Sequence, residues 1–205
     1  MCIRDRTKTA LILVDLQNDF MPGGTLAVGG GDTTVAAANR LMPNYDFVVA
    51  TQDWHPSGHG SFAASHAGKA PGDQIELAGL PQVLWPVHCV QGTPGASFHA
   101  SLDIAGIHAV VRKGQSPDID SYSGFFDNGG MQATGLGDLL RAHGITAVDV
   151  MGLATDYCVR FTALDAVKEG FKTRLLRDGC RGVELQAGDI ESALAEMTAA
   201  GVEIG

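Results

Sequence analysis

The stretch AVDVMGLATDYCVRFTALDAVKEG, residues 147–170, combines a strand pattern and a helix pattern in immediate succession. Residues 147–153 form a nearly continuous apolar run, which is typical of a strand buried on both faces of a sheet. Residues 156–170 place apolar side chains at three- and four-residue intervals and end at a glycine, a common helix stop. The stretch therefore predicts one strand–helix unit of a parallel α/β fold.

The same alternation continues through the rest of the chain. Further apolar runs predict strands at 10–14, 47–50, 109–111 and 173–176, and a short sixth strand at 202–204. Helical periodicity predicts helices at 32–42, 135–144 and 189–201. Strands and helices that alternate in this way form a parallel sheet with helices on both faces.

The composition is that of an ordinary globular protein, with 45% hydrophobic and 18% charged residues among 205. We expect one domain over residues 9–205, preceded by a leader, residues 1–8, that fits none of the patterns. A net charge of −9 without any basic stretch argues against nucleic acid as a partner. The apolar runs are too short to cross a membrane. No export signal and no CxxC pair accompany the four cysteines, which predicts a cytoplasmic protein with reduced thiols.

Reactive residues follow the predicted strands. Asp15 comes after the first strand, Asp53 after the second, Lys113 after the third and Cys158 after the fourth. Because the carboxyl ends of parallel strands meet at one edge of a sheet, we expect these four side chains to converge there. The fifth strand is followed by residues 178–180, where a glycine between arginines predicts a turn.

Cys158 lies in the first turn of a helix that opens at Thr155 or Asp156. Free N–H groups at a helix start favour the thiolate, and a nearby Lys113 would lower the pKa of the thiol further. Asp15 could then take and return the proton. The alternatives are a buried, inert Cys158, a structural loop aspartate and a solvated lysine, but their joint arrangement favours catalysis. Cys89 and Cys180 are predicted to be structural, and Cys2 belongs to the leader.

The stretch QDWHPSGH, residues 52–59, offers Asp53, His55 and His59 as metal ligands, with a polar surface turn as the alternative. It opens a segment, 52–108, without a convincing long helix or strand. A connection of that length is usually functional or disordered. Trp54 is expected to pack the loop and not to contact a substrate.

Six motifs together resemble the nicotinamidase (pyrazinamidase) family within the isochorismatase-like cysteine hydrolases. They are ALILVDLQNDFMPGGTLAV (10–28), TQDWHPSGHGSF (51–62), WPVHCVQGTPGASFH (85–99), VVRKG (110–114), DSYSGF (120–125) and VMGLATDYCVRFTALDA (150–166). The resemblance runs from about residue 9 to the end. It implies a three-layer α/β/α sandwich around a mostly parallel six-stranded sheet.

The resemblance also implies roles for individual residues. The family's catalytic triad corresponds to Asp15, Lys113 and Cys158, and its metal ligands correspond to Asp53, His55 and His88. His59 matches a position that ligates the metal in only some members, so it could bind the metal or brace the loop. The oxyanion hole would use the backbone N–H groups of Ala154 and Cys158, with a cis peptide at Leu153–Ala154. The substrate pocket would contain Phe20, Leu26, Trp85 and Tyr122.

The implied activity is metal-dependent hydrolysis of nicotinamide to nicotinate and ammonia, a step of NAD salvage, through a thioester on Cys158. The implied cofactor is one divalent ion, with zinc preferred and iron or manganese as alternatives, and the pyridine nitrogen would bind at it. Use of pyrazinamide and assembly into homo-oligomers stay open. The rival activities are a cysteine amidase for ureido or carbamoyl amides, whose members generally lack the two histidine motifs, and a non-catalytic pyridine-binding domain. A vinyl-ether hydrolase is disfavoured by Cys158.

Overall fold

The computed structural model describes residues 8–205. Within them the α-helices are α1 (Asp32–Leu41), α2 (Leu136–Ala142), α3 (Arg160–Lys168) and α4 (Asp189–Ala199). The strands are β1 (Thr9–Val14), β2 (Phe47–Asp53), β3 (Gln74–Leu77), β4 (Leu80–Val83), β5 (Ala109–Lys113), β6 (Ala147–Leu153), β7 (Lys172–Arg181) and β8 (Glu203–Ile204). None of the helices in this range is long and apolar enough to cross a membrane. The predicted leader lies outside the described residues apart from Lys8, whose carbonyl accepts a hydrogen bond from the Thr146 N–H.

Six strands form one sheet in the order β5-β2-β1-β6-β7-β8. Every neighbouring pair in it is parallel, which confirms the predicted six-stranded sheet. β2 and β6 are buried at every residue, and β1 is buried at every residue after Thr9. Burial on both faces explains why these strands read as continuous apolar runs in the sequence.

The connections reverse direction at the centre of the sheet. From β1 the chain moves to β2 and β5 on one side, and it then returns to β6 on the other side of β1. Because such crossovers are right-handed, α1 lies on one face and α3 and α4 lie on the other, which gives three layers. Ligands in sheets of this type bind beyond the carboxyl ends of the strands where the order reverses, here between β1 and β6.

One local prediction is wrong. The turn predicted at 178–180 is part of β7: Val150 pairs with Leu175 but Gly152 pairs with Cys180, so the residues between form a bulge. Beyond the bulge, Cys180 pairs again with β6. The polar and glycine residues of the bulge resemble those of a turn, which explains the wrong prediction. The segment 52–108, where no long helix or strand was expected, contains a short antiparallel hairpin, β3 and β4, whose residues are exposed or half-buried apart from Gln82 and therefore lack a continuous apolar run.

Gly152 allows β6 to approach β1. Its φ is 126°, and a Cβ atom built there would lie 2.2 Å from the carbonyl oxygen of Val14. We expect Gly152→Ala to lower the free energy of unfolding by about 3 kcal/mol, measured by urea denaturation. Gly170→Ala is the matched control, because Gly170 also has a positive φ, 87°, but its Cβ would meet nothing within 4 Å. The control should lose only about 1 kcal/mol, and equal losses would contradict the steric explanation.

Candidate active site

Four buried side chains meet at the reversal point of the sheet. Asp15 follows β1, Asp53 ends β2, Lys113 ends β5, and Cys158 lies in the turn after β6. The Lys113 ammonium contacts the other three: its Nζ lies 2.9 Å from Asp15 Oδ2, 2.5 Å from Asp53 Oδ1 and 3.3 Å from Cys158 Sγ. A fourth contact at 2.9 Å goes to the carbonyl oxygen of Ser121. The lysine therefore holds two carboxylates and a thiol around one positive charge.

The carboxylate of Asp15 is arranged as a proton acceptor. Thr51 Oγ1 donates a hydrogen bond of 2.6 Å to Oδ1, whereas Oδ2 touches Lys113 Nζ without the alignment of a hydrogen bond. Burial raises the pKa of Asp15 to about 6, although Lys113 opposes the shift. Atoms of Asp15, Asp53 and Cys158 lie within 4.8 Å of one another. Near neutral pH, Asp15 is thus an ionised base beside the thiol, with a pKa suited to proton exchange.

The charge states of Lys113 and Cys158 follow from the same contacts. Burial alone would lower the pKa of Lys113, but Asp15 and Asp53 outweigh it, so the pKa rises well above the ordinary value. Burial also raises the pKa of the Cys158 thiol well above its ordinary value, and Lys113 offsets this only partly. The sequence-based expectation of a lowered thiol pKa is wrong because it ignored burial and the two nearby carboxylates. If Cys158 acts as a nucleophile, its thiol therefore needs a base.

The turn that carries Cys158 is not the regular helix start that the sequence predicted. Residues Thr155–Val159 form a kinked turn in which Tyr157 departs from helical backbone angles, and α3 begins at Arg160. The peptide bond between Leu153 and Ala154 is cis, as expected from the sequence. Ala154 and Cys158 both line the cleft above the cluster. Their backbone N–H groups are the candidate donors of an oxyanion hole.

Asp53, His55 and His88 form a second group, adjoining the first through Asp53. His55 Nε2 lies 3.7 Å and His88 Nε2 lies 4.0 Å from Asp53 Oδ2. The Nδ1 atoms of the two histidines lie 2.8 Å from the carbonyl oxygens of Gly114 and Pro86 respectively, so each Nδ1 carries a hydrogen that it donates to the carbonyl, and Nε2 is turned toward Asp53. A backbone partner on the far nitrogen is the usual second contact of a metal-binding histidine.

This group fits a divalent metal ion. His55 Nε2 is buried and has no hydrogen-bond partner among the described residues, and ligand atoms of Asp53, His55 and His88 lie within 4.8 Å of one another. Burial lowers the pKa of both histidines; Asp53 more than reverses this for His55, whose pKa rises to about 8, whereas the pKa of His88 falls to about 4. One carboxylate and two imidazoles are a donor set that suits zinc, iron or manganese.

His59 is committed to other partners. Its Nδ1 accepts a hydrogen bond from the Ser61 N–H at 3.1 Å, and its Nε2 lies 3.3 Å from the Ile119 carbonyl oxygen. Its ring lies 4.4 Å from that of His55, measured between ring centroids. Phe62, to which the sequence assigned no role, packs against the rings of His55, His59 and His88 at 5.4–5.6 Å. These contacts fit a brace for His55 better than a fourth ligand.

An apolar cleft of about 420 Å³, including its open mouth, lies over both groups. Phe20, Leu26, Trp85 and Tyr122, the four residues expected in a pocket, line it. Its other walls were not expected: Val28, Asp120, Leu153, Tyr157 and Val183. Most of these lie inside the recognised motifs and could have been found there, but Val183 comes from the loop after β7, which carries no motif. Trp54 packs under Arg112 instead, with the guanidinium 4.0 Å from the ring centroid.

Gly114 makes room for His55. A Cβ atom at Gly114 would lie 2.3 Å from Cε1 and 2.6 Å from Nδ1 of the His55 ring. We therefore expect Gly114→Ala to reduce zinc affinity at least tenfold, measured by competition with a chromogenic chelator. Gly130→Ala is the matched control, since Gly130 has nearly the same φ, 65° against 64°, and nothing within 4 Å. Unchanged zinc affinity in Gly114→Ala would show that His55 is not a ligand.

Comparisons with known proteins agree with this geometry. Residues 9–205 match the Isochorismatase domain. The nicotinamidase of Escherichia coli is 54% identical over 199 residues, which cover 95% of this chain and 93% of that protein. A nicotinamidase/pyrazinamidase structure from Acinetobacter baumanii superposes with a TM-score of 0.94 at 48% identity, covering 98% of this chain and 97% of that one. A Pyrococcus horikoshii pyrazinamidase in complex with zinc gives a TM-score of 0.78 at 40% identity, covering 97% and 98%. The chain belongs to the isochorismatase family, in its nicotinamidase branch.

Proposed function

We propose that the chain hydrolyses nicotinamide to nicotinate and ammonia through a thioester on Cys158. The observation that carries this proposal is the Lys113 ammonium, which holds Asp15 and the Cys158 thiol together at the floor of an aromatic cleft. The cleft suits a small planar ring, because its lining is apolar and aromatic with few polar groups. The activity of the E. coli relative supports the same substrate.

The proposed reaction begins with proton transfer from the Cys158 thiol to Asp15. The sulfur forms a bond to the carboxamide carbon, and the carbonyl oxygen takes the negative charge. Asp15 then gives its proton to the amide nitrogen and the C–N bond breaks. Ammonia departs, and the acyl group stays on Cys158 as a thioester. Asp15 next takes a proton from water, whose oxygen attacks the thioester carbon, and the C–S bond breaks with return of a proton to sulfur. Lys113 keeps both partners in place through the cycle.

The Ala154 and Cys158 backbone N–H groups are proposed to donate hydrogen bonds to the developing oxyanion. Losing one such donor typically costs about 3 kcal/mol of transition-state stabilisation. Because these donors are backbone N–H groups of the turn that carries Cys158, no particular side chain marks them in the sequence. Their direction depends on the turn that follows β6.

Asp53, His55 and His88 are proposed to hold one divalent ion, and His59 to brace them. When bound, the ion would supply an anchor for the pyridine nitrogen, which orients the carboxamide toward Cys158. Zinc is favoured by the zinc complex of the P. horikoshii relative, with iron and manganese as alternatives. Pyrazinamide carries the same carboxamide on a diazine ring, so we expect it to be hydrolysed as well. The free, buried cysteines 89, 158 and 180 favour a cytoplasmic location.

Two observations separate this proposal from its rivals. A ureido or carbamoyl amidase has no use for the aromatic walls formed by Trp85 and Tyr122 or for the two backbone-anchored histidines. A non-catalytic pyridine-binding domain would not need a base with a pKa of about 6 beside a buried thiol. Both features are present together in this cleft.

The nucleophile can be tested by ammonia release. Cys158→Ala should lower kcat for nicotinamide by at least about 10⁴-fold, because it removes the sulfur that forms the thioester. Cys180→Ala is the matched control: that cysteine is also buried and free but lies in β7. It should retain most of the activity. Comparable turnover by Cys158→Ala and the wild type would rule out the nucleophile assignment.

The base can be tested by the pH dependence of kcat/KM. Below a pH of about 6, protonated Asp15 cannot accept the thiol proton, so kcat/KM should fall about tenfold for each pH unit. Thr51→Val removes a hydrogen bond that lowers the pKa of Asp15, so the acid limb should move to higher pH. An acid limb at the same pH in Thr51→Val and the wild type would argue against Asp15 as the base.

A further inference from the structure

Asp120 is a charged residue of the cleft that the proposed chemistry does not use. It lies in the connection between β5 and α2, is 2% exposed, and lines the cleft together with Asp53 and His88. Its Oδ1 accepts a hydrogen bond of 2.7 Å from the N–H of Ser121. The other oxygen, Oδ2, is the one whose partners need explanation, since a buried carboxylate normally has both oxygens satisfied.

Oδ2 of Asp120 is poorly satisfied by protein groups. The donor in contact with it is Gln82 Nε2, which lies 3.4 Å from Oδ2. That amide nitrogen has two hydrogens but three acceptors, and it lies closer, at 2.8 Å, to the Val83 carbonyl oxygen and to the Tyr122 hydroxyl. The two hydrogens of Gln82 are thus used elsewhere, which leaves Oδ2 without a full hydrogen bond.

Asp120 lacks a cationic partner in the protein. Among residues 8–205, no lysine, arginine or histidine nitrogen forms an ion pair with Asp120. Asp15 and Asp53 both contact the Lys113 ammonium, whereas Asp120, which is also buried, has no such contact. A buried carboxylate without a cation is costly. A divalent ion beside Asp120 would supply the cation.

Asp120 lies next to nitrogen atoms that could bind a cation together with it. Ligand atoms of Asp120, His55 and His59 lie within 4.8 Å of one another, as do those of Asp53, His55 and His88. His55 belongs to both groups, and its Nε2 is the buried nitrogen without a hydrogen-bond partner. Because both nitrogens of His59 are engaged, Asp120 offers the free anionic atom on that side of His55.

We propose that Asp120 is a second carboxylate of the metal site, which acts outside the Asp53, His55 and His88 ligand set and raises the affinity for a divalent ion. The inference rests on the metal site proposed above. Asp120 is a positioning residue here: it balances the charge of the ion and fixes its location, and it takes no part in proton transfer. Partners of this kind commonly change metal affinity by about 10- to 100-fold.

The test compares zinc affinity in wild type, Asp120→Asn and Asp118→Asn by competition with a chromogenic chelator. Asp120→Asn should bind zinc about 10- to 100-fold more weakly. Asp118→Asn makes the same change of charge two residues earlier, on an exposed side chain, and should bind zinc like the wild type. Equal affinity in Asp120→Asn and the wild type would overturn the inference while leaving the metal site intact. A wild-type protein that fails to bind zinc would instead overturn the metal site itself.

Thermal unfolding separates the proposed role from a merely structural one. If Asp120 served the fold, Asp120→Asn would lower the Tm of the metal-free protein. If Asp120 is instead a counter-charge for the metal, Asp120→Asn removes an unpaired buried charge. The amide oxygen of the asparagine can still accept a hydrogen bond from the Ser121 N–H. We therefore expect the metal-free Tm to stay or rise and the zinc-induced increase in Tm to shrink. A lower metal-free Tm with an unchanged zinc-induced increase would contradict the proposal.

Discussion

The interaction on which the site depends is the burial of the Lys113 ammonium between Asp15 and Asp53. An ammonium in this position is tolerable only because two carboxylates and a carbonyl oxygen replace its water. The same contacts explain why Lys113 stays charged and why Asp15 keeps a pKa near neutrality. Removing Lys113 would leave two buried carboxylates without a cation, so the three residues function as one unit.

The proposed metal site is built on the same sheet but is held by loops. Asp53 belongs to β2, and Gln17 fixes its backbone in both directions, since its amide donates to the Asp53 carbonyl and accepts from the Asp53 N–H. His55 and His88 lie in irregular segments, where carbonyl oxygens orient their rings and Phe62 packs against them. A site on irregular segments needs such contacts, because no regular element fixes its side chains. Gly114 serves the same end by leaving space for the His55 ring.

The sequence predicted the sheet, the α-helices and the residues that follow the strands, because burial on both faces leaves a strong apolar signal in β1, β2 and β6. It failed where local composition and tertiary structure disagree. Residues 178–180 look like a turn but belong to β7 through a bulge, and the hairpin of β3 and β4, whose residues are only partly buried, has no apolar run. The raised thiol pKa of Cys158 was missed because it depends on distances between residues far apart in the chain. The packing of Phe62 against the three histidine rings was missed for the same reason, although Phe62 lies inside a recognised motif.

The order of the strands explains why the central cation is a lysine. Across the sheet, β5, β2, β1 and β6 present Lys113, Asp53, Asp15 and the Cys158 turn in that order. Asp53 and Lys113 are direct partners in the β2–β5 register. Neighbouring strands lie about 4.8 Å apart, so β5 and β6 are separated by about 14 Å. A long, thin side chain with a compact charge can extend from β5 over two strands, contact a carboxylate on each and still reach the sulfur. The planar guanidinium of an arginine is wider and could not fit its charge between the two carboxylates in the same way. The fold therefore fixes the kind of residue at position 113, and through it the arrangement of the base and the thiol.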